Sequence, residues 1–129
     1  MSNLNETISK LKAYVGEDSE EKVLMEKFEE LSQIFWDMYN GFPKASKIEY
    51  SVANTDDLKA IKIEKNELKL YANKQKNTIE VEKKSDIAVF KLDELILKDN
   101  ELYSSVREVV FTEEMLNDYL KETFTEILG

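Results

Sequence analysis

The chain has 129 residues, a length that fits one domain, and a formal net charge of −9. It contains no histidine and no cysteine, which excludes histidine-based catalysis, disulfides and thiolate metal sites. Its three glycines are too few and too scattered for a phosphate-binding loop. We therefore expect a single domain over residues 1–129 that is not an enzyme and binds no cofactor or metal.

Charge and hydropathy also limit the partners. Arg107 is the sole arginine among 18 basic residues. Arginine is the side chain best suited to binding phosphate and guanine, because its guanidinium group can donate two parallel hydrogen bonds. An acidic chain of this kind is expected not to bind nucleic acid. Apolar runs are short, and the N-terminus lacks the pattern of a signal peptide, so we expect no membrane contact and a cytoplasmic location. Heavy use of lysine, asparagine, isoleucine and glutamate favours a bacterial source.

The first predicted element is a helix over residues 3–15. Its apolar residues alternate by four and three along one narrow face: Leu4, Ile8, Leu11 and Val15. Such a seam buries against one neighbour, so we expect it to pack on the next helix in a helical hairpin closed at residues 16–19. The alternative is that the Leu4–Val15 seam binds another chain, including a second copy in a two-fold homodimer.

The longest helical pattern covers residues 23–42, with Asp18 and Glu21 as a predicted capping pair. Its apolar residues span an arc of about 160°, wide enough to touch two neighbours. Five of its side chains form the predicted ligand or partner surface: Met25, Phe28, Phe35, Trp36 and Tyr39. The competing interpretation assigns these aromatic residues to the core, which any domain of this size needs.

After Pro43 the apolar period changes to two, which predicts strands. We expect strands near residues 47–52, 60–64, 68–72, 79–81 and 87–92, the last being more continuously apolar and hence central. Short turns between them predict an antiparallel meander. Residues 93–111 allow a further hairpin, followed by a strand or a short helix.

From Thr112 the pattern is helical again, with its apolar residues on one face: Leu116, Tyr119, Leu120, Thr123, Phe124 and Ile127. The predicted class is α+β: an N-terminal helical hairpin, an antiparallel meander of five to six strands and a C-terminal helix, with the helices on one face of the sheet.

Two functions follow from these features. The first is a small acidic protein-interaction module, inhibitor- or immunity-like, that binds a basic partner by surface complementarity. The alternative is a carrier of an apolar small ligand in a cup between the sheet and the central helix. The order of elements resembles small bacterial immunity and inhibitor-like proteins, and also helix-grip ligand binders. No residue motif accompanies either resemblance, so no site residue is carried over.

Overall fold

A computed structural model of the chain describes residues 2–15 and 20–129. The predicted loop 16–19, with Asp18 of the predicted capping pair, lies outside these residues. Within them, no helix is long and apolar enough to cross a membrane. The elements in chain order are α1 (Ser2–Val15), α2 (Glu20–Glu29), α3 (Ser32–Gly41), β1 (Tyr50–Asn54), β2 (Leu58–Ile63), β3 (Asn66–Asn73), β4 (Thr78–Lys84), β5 (Val89–Lys98), β6 (Glu101–Ser104), β7 (Val109–Val110), α4 (Glu113–Thr123) and α5 (Thr125–Leu128).

The described strands form one antiparallel sheet, and their order in space follows their order in sequence. The α+β class and the meander are confirmed, but the sheet has seven strands instead of five or six. The additional strands come from residues 93–111, where β5 and β6 form the predicted hairpin and residues 109–110 form a strand. A strand of two residues, such as β7, is too short to show an alternation of apolar and polar residues. The sequence therefore predicts fewer strands than the structure contains.

One face of the sheet, here called the inner face, carries the core. Side chains alternate across a strand, so every second residue points inward. α2 contacts β5 and β6, α3 contacts β1 and β2, and α4 contacts β3. The buried core residues are Leu24, Phe28, Leu31, Phe35, Ile61, Leu68, Leu70, Ile79, Val81, Leu95, Leu102, Met115, Leu116, Tyr119 and Phe124.

The predicted single helix over residues 23–42 is wrong, because a turn at residues 30–31 divides it into α2 and α3. At this turn the N–H of Leu31 donates to the carbonyl of Phe28 at 3.1 Å, and the N–H of Ile34 donates to the carbonyl of Leu31 at 3.1 Å. These are the tighter bonds of a 3₁₀ turn. The turn redirects the chain, so that α2 covers β5 and β6 and α3 covers β1 and β2 on the inner face of the sheet.

The strand predicted over residues 87–92 is also corrected. β5 lies between β4 and β6, as a central strand does, but it begins at Val89, and the side chains of Ile87, Val89 and Phe90 are exposed, so the apolar run is not buried. A register shift opposite β4 leaves Leu92 as an extra residue, a β-bulge. The bulge resets the alternation of β5, and the buried part of the strand begins at Asp93.

The C-terminal helix begins after Thr112, as predicted, and its Leu116, Tyr119 and Thr123 are buried. The predicted apolar face extends one turn too far, because Ile127 is exposed. Phe124 leaves the helical conformation, with φ −110° and ψ 33°, and a separate short helix, α5, follows it. The periodicity of α4 therefore does not continue into α5.

Candidate partner-binding surface

The structure separates the five residues of the predicted partner surface. Phe28 and Phe35 have no exposed area and belong to the core, while Met25 is half-buried. Trp36 and Tyr39 are 47% and 43% exposed, and their rings meet edge to face with centroids 5.7 Å apart. The exposed pair on α3 is therefore the part of the predicted surface that a partner can reach.

Lys59, which sequence reasoning did not single out, is a buried cation on the inner face. Its ammonium donates to Ser32 Oγ at 2.9 Å, to Asn54 Oδ1 at 2.9 Å and to the carbonyl of Thr55 at 3.0 Å. Burial lowers the pKa of Lys59, and the Glu29 carboxylate, 3.8 Å away, acts in the opposite direction. Because all three of its protons are used, Lys59 joins the turn between α2 and α3 to the β1–β2 turn and offers no free amine.

Asp93, also unanticipated, is a fully buried acidic residue on the same face. Its Oδ2 accepts hydrogen bonds from Ser104 Oγ at 2.6 Å and from the hydroxyl of Tyr119. Its Oδ1 accepts from the backbone N–H of Glu94 at 2.7 Å and of Val106 at 3.2 Å. Burial, followed by the bond to Asp93, raises the pKa of Tyr119. The cluster is internally satisfied and fixes α4 to the β5–β6 hairpin.

The outer face of the sheet carries an ion-paired network. Glu80 is buried and accepts from Thr78 Oγ1 at 3.1 Å and from Lys91 Nζ at 3.2 Å, while Lys91 also contacts Glu94 at 2.8 Å. The bond to Glu94 raises the pKa of Lys91, and the same bond lowers the pKa of Glu94. Each carboxylate thus has a cation or hydroxyl partner, and residues 2–15 and 20–129 hold no acidic cluster arranged for a metal ion.

α1 is exposed where the sequence predicts a packed seam. We call Leu4, Ile8 and Leu11 the α1 seam. The fourth residue of the predicted seam, Val15, is not included, because the structure does not describe its side chain. These residues are 61%, 41% and 59% exposed, so the predicted burial of the seam in a helical hairpin is wrong. Their spacing of four and three residues keeps them on one side of α1. The α1 seam is therefore an apolar helical surface available to another molecule.

Comparison with known proteins identifies a family without assigning an activity. The family model described as "Protein of unknown function (DUF3942)" matches residues 4–128. No curated protein and no solved structure matches the chain significantly.

Proposed function

Starting from the fact that the chain belongs to the DUF3942 family of proteins of unknown function, we propose that it is a protein-interaction module. In this proposal it binds a basic partner through the α1 seam, as an inhibitor- or immunity-like protein does, and carries out no chemistry itself. The observation that carries the proposal is the exposure of Leu4, Ile8 and Leu11 on one side of α1.

The α1 seam has the geometry of a helix that docks into a groove. Amphipathic helices bind partners through apolar anchors at positions i, i+4 and i+7, which is the spacing of Leu4, Ile8 and Leu11. α1 has 14 residues, and a helix of this length is only marginally stable in water without packing. A groove that buries the seam would supply that packing.

The charge of the chain favours a basic partner. The net charge is −9, and residues 1–40 and 101–129 each carry a net charge of −5, whereas residues 41–100 carry +1. The acidic excess of residues 1–40 lies outside α1, where Glu6 stands with Lys10 and Lys12. An acidic surface accelerates encounter with a basic one and makes the association rate depend on salt. The apolar seam would then slow dissociation, because burial of apolar area provides the affinity.

A charge placed on the seam tests the proposal. We expect Ile8→Glu to abolish retention of the partner from a lysate of the source organism by the immobilised chain, because the groove would have to desolvate a carboxylate. The control is Ser9→Glu, which adds the same charge at an exposed position outside the seam, about 100° from Ile8 around α1. Association should slow several-fold between about 50 and 500 mM salt.

The proposal requires that retention of the partner protein depends on the α1 seam. Cross-linking mass spectrometry should also place the captured protein in contact with α1. Equal retention by both variants, or by neither, would overturn the assignment of the seam. If Ile8→Glu abolishes only self-association of the chain, the seam is a homodimer contact and the module proposal fails.

A further inference from the structure

β1 is an exposed edge of the sheet with unusual composition. It is the first strand in the spatial order and has five residues, Tyr50–Asn54, without a charge, proline or bulge. The opposite edge, β7, is only two residues long, and every strand between them carries charged residues. Proteins normally protect sheet edges with charge, proline, bulges or brevity. β7 is protected by its shortness, whereas β1 has none of these devices.

The hydrogen-bond pattern shows which groups of β1 point away from the sheet. The N–H of Glu64 donates to the carbonyl of Glu49 at 2.9 Å, and the N–H of Thr55 donates to the carbonyl of Leu58 at 2.8 Å. Alternate residues of an antiparallel strand bond to the same neighbour, so residues 49, 51, 53 and 55 bond to β2. The N–H and C=O groups of Tyr50, Val52 and Asn54 therefore point outward, and no described residue hydrogen-bonds to them.

We propose that two copies of the chain pair through antiparallel β1 strands about a two-fold axis at Val52, which joins their sheets into one. In this register Val52 faces its own copy, and Tyr50 faces Asn54 of the partner subunit. The outward backbone groups of all three residues then find partners, so a self-complementary ladder replaces the exposed edge.

The charges at the two ends of β1 favour a second copy of the chain as the partner that pairs with this edge. Lys47 lies three residues before the strand and Asp57 three residues after it, and both are exposed. In the register centred on Val52, Lys47 lies opposite Asp57 of the partner subunit at both ends of the ladder. The five residues of the strand carry no charge, so the ladder itself brings no like charges together.

The surface next to β1 supports the same assignment. A cavity of about 450 Å³, lined by Tyr39, Lys44, Ile48, Tyr50 and Val52 among others, lies beside the edge. A two-fold axis perpendicular to the sheet places both helical layers on the same face. The exposed Trp36–Tyr39 pairs of the two α3 helices would then lie next to the junction.

Removal of one outward donor tests the ladder. We expect Val52→Pro to raise the dimer dissociation constant about tenfold or more relative to Val52→Ala, measured by sedimentation equilibrium of the full chain. Both variants lose the valine side chain, but proline also removes the N–H that the two copies exchange. A chain that stays monomeric at high concentration, or variants with equal dissociation constants, would overturn the proposal.

A charge exchange tests the register without altering the strand. Lys47→Glu and Asp57→Lys should each weaken the dimer about threefold or more at low salt, and the double variant should recover the wild-type dissociation constant. Failure to recover would overturn the antiparallel register. Ile8→Glu should leave the dimer intact, so failure of this proposal and failure of the α1 seam proposal are distinguishable.

Discussion

α1 and α4 are both amphipathic helices, and their environments are opposite. The described side chains of α1 are all exposed, including Leu11, whereas Leu116 of α4 is 2% exposed. α4 is attached to the sheet and its turns by three described side-chain contacts: Tyr119 donates to Asp93, Arg107 donates to Asp118 at 2.7 Å, and Lys83 donates to Glu122 at 3.4 Å. The difference shows that a helical pattern predicts the apolar face of a helix but not the molecule against which that face is buried.

The largest expected effect concerns the buried attachment of α4. Asp93→Ala leaves the hydroxyls of Ser104 and Tyr119 and two backbone N–H groups without an acceptor. Each unsatisfied buried donor costs about 1–3 kcal/mol, so we expect the free energy of unfolding to fall by about 4 kcal/mol. Urea denaturation followed by circular dichroism measures this change.

The matched control for Asp93 is Asp118→Ala, which removes a solvent-exposed polar attachment of α4. The side chains of the Arg107–Asp118 ion pair are 41% and 37% exposed, so we expect a loss below about 1 kcal/mol. If the two substitutions destabilise the protein equally, burial is not what distinguishes the two attachments.

The next effect compares one leucine from each helix. Leu116→Ala creates a cavity in the core and should cost about 3 kcal/mol, because it removes buried methyl groups. Leu11→Ala removes the same atoms from an exposed position and should change the stability by less than about 0.5 kcal/mol. Both are measured by urea unfolding of the full chain, and a large loss for Leu11→Ala would show that the α1 seam is buried in solution.

The parts of the fold that were predictable are those with strong local periodicity. Spacing and turn chemistry predict the helix after Thr112, the strand that holds the inward Leu68 and Leu70, and a hairpin within residues 93–111. The turn of that hairpin lies at residues 99–100. The turn at residues 30–31 was not predictable in this way, because the apolar pattern continues across it. Its cause is tertiary: the two halves of the pattern cover different strands, and Lys59 binds Ser32 at the turn.

The two buried charged residues were missed for a related reason. Lys59 is two positions before the inward Ile61, and Asp93 is two positions before the inward Leu95, so strand alternation points to both. The predicted strands begin one residue after Lys59 and end one residue before Asp93, so both residues lie outside them. Counting back two positions from the inward Ile61 and Leu95 reaches both residues, whereas the bulge at Leu92 prevents the alternation of residues 87–92 from reaching Asp93.

The smallest effect that sharpens the comparison is the pH dependence of the Tyr119 contact. Burial and the bond to Asp93 raise the pKa of Tyr119, whereas in the unfolded chain the phenol ionises near pH 10. Above about pH 10 the unfolded state loses this proton and the folded state retains it, so the free energy of unfolding falls as pH rises. The fall is at most about 1.4 kcal/mol per pH unit for one group.

Tyr119→Phe isolates this contribution. At pH 7 we expect the variant to be about 2 kcal/mol less stable, because a hydrogen bond to a charged acceptor is lost. Above about pH 10 the difference from the wild type should shrink, since only the wild type loses the phenol contribution. Tyr71, whose pKa is also raised, is present in both proteins, so its effect cancels in the difference. Urea midpoints measured from pH 7 to pH 11 decide the matter, because parallel curves would mean that the Tyr119 hydroxyl does not hold α4 to the sheet.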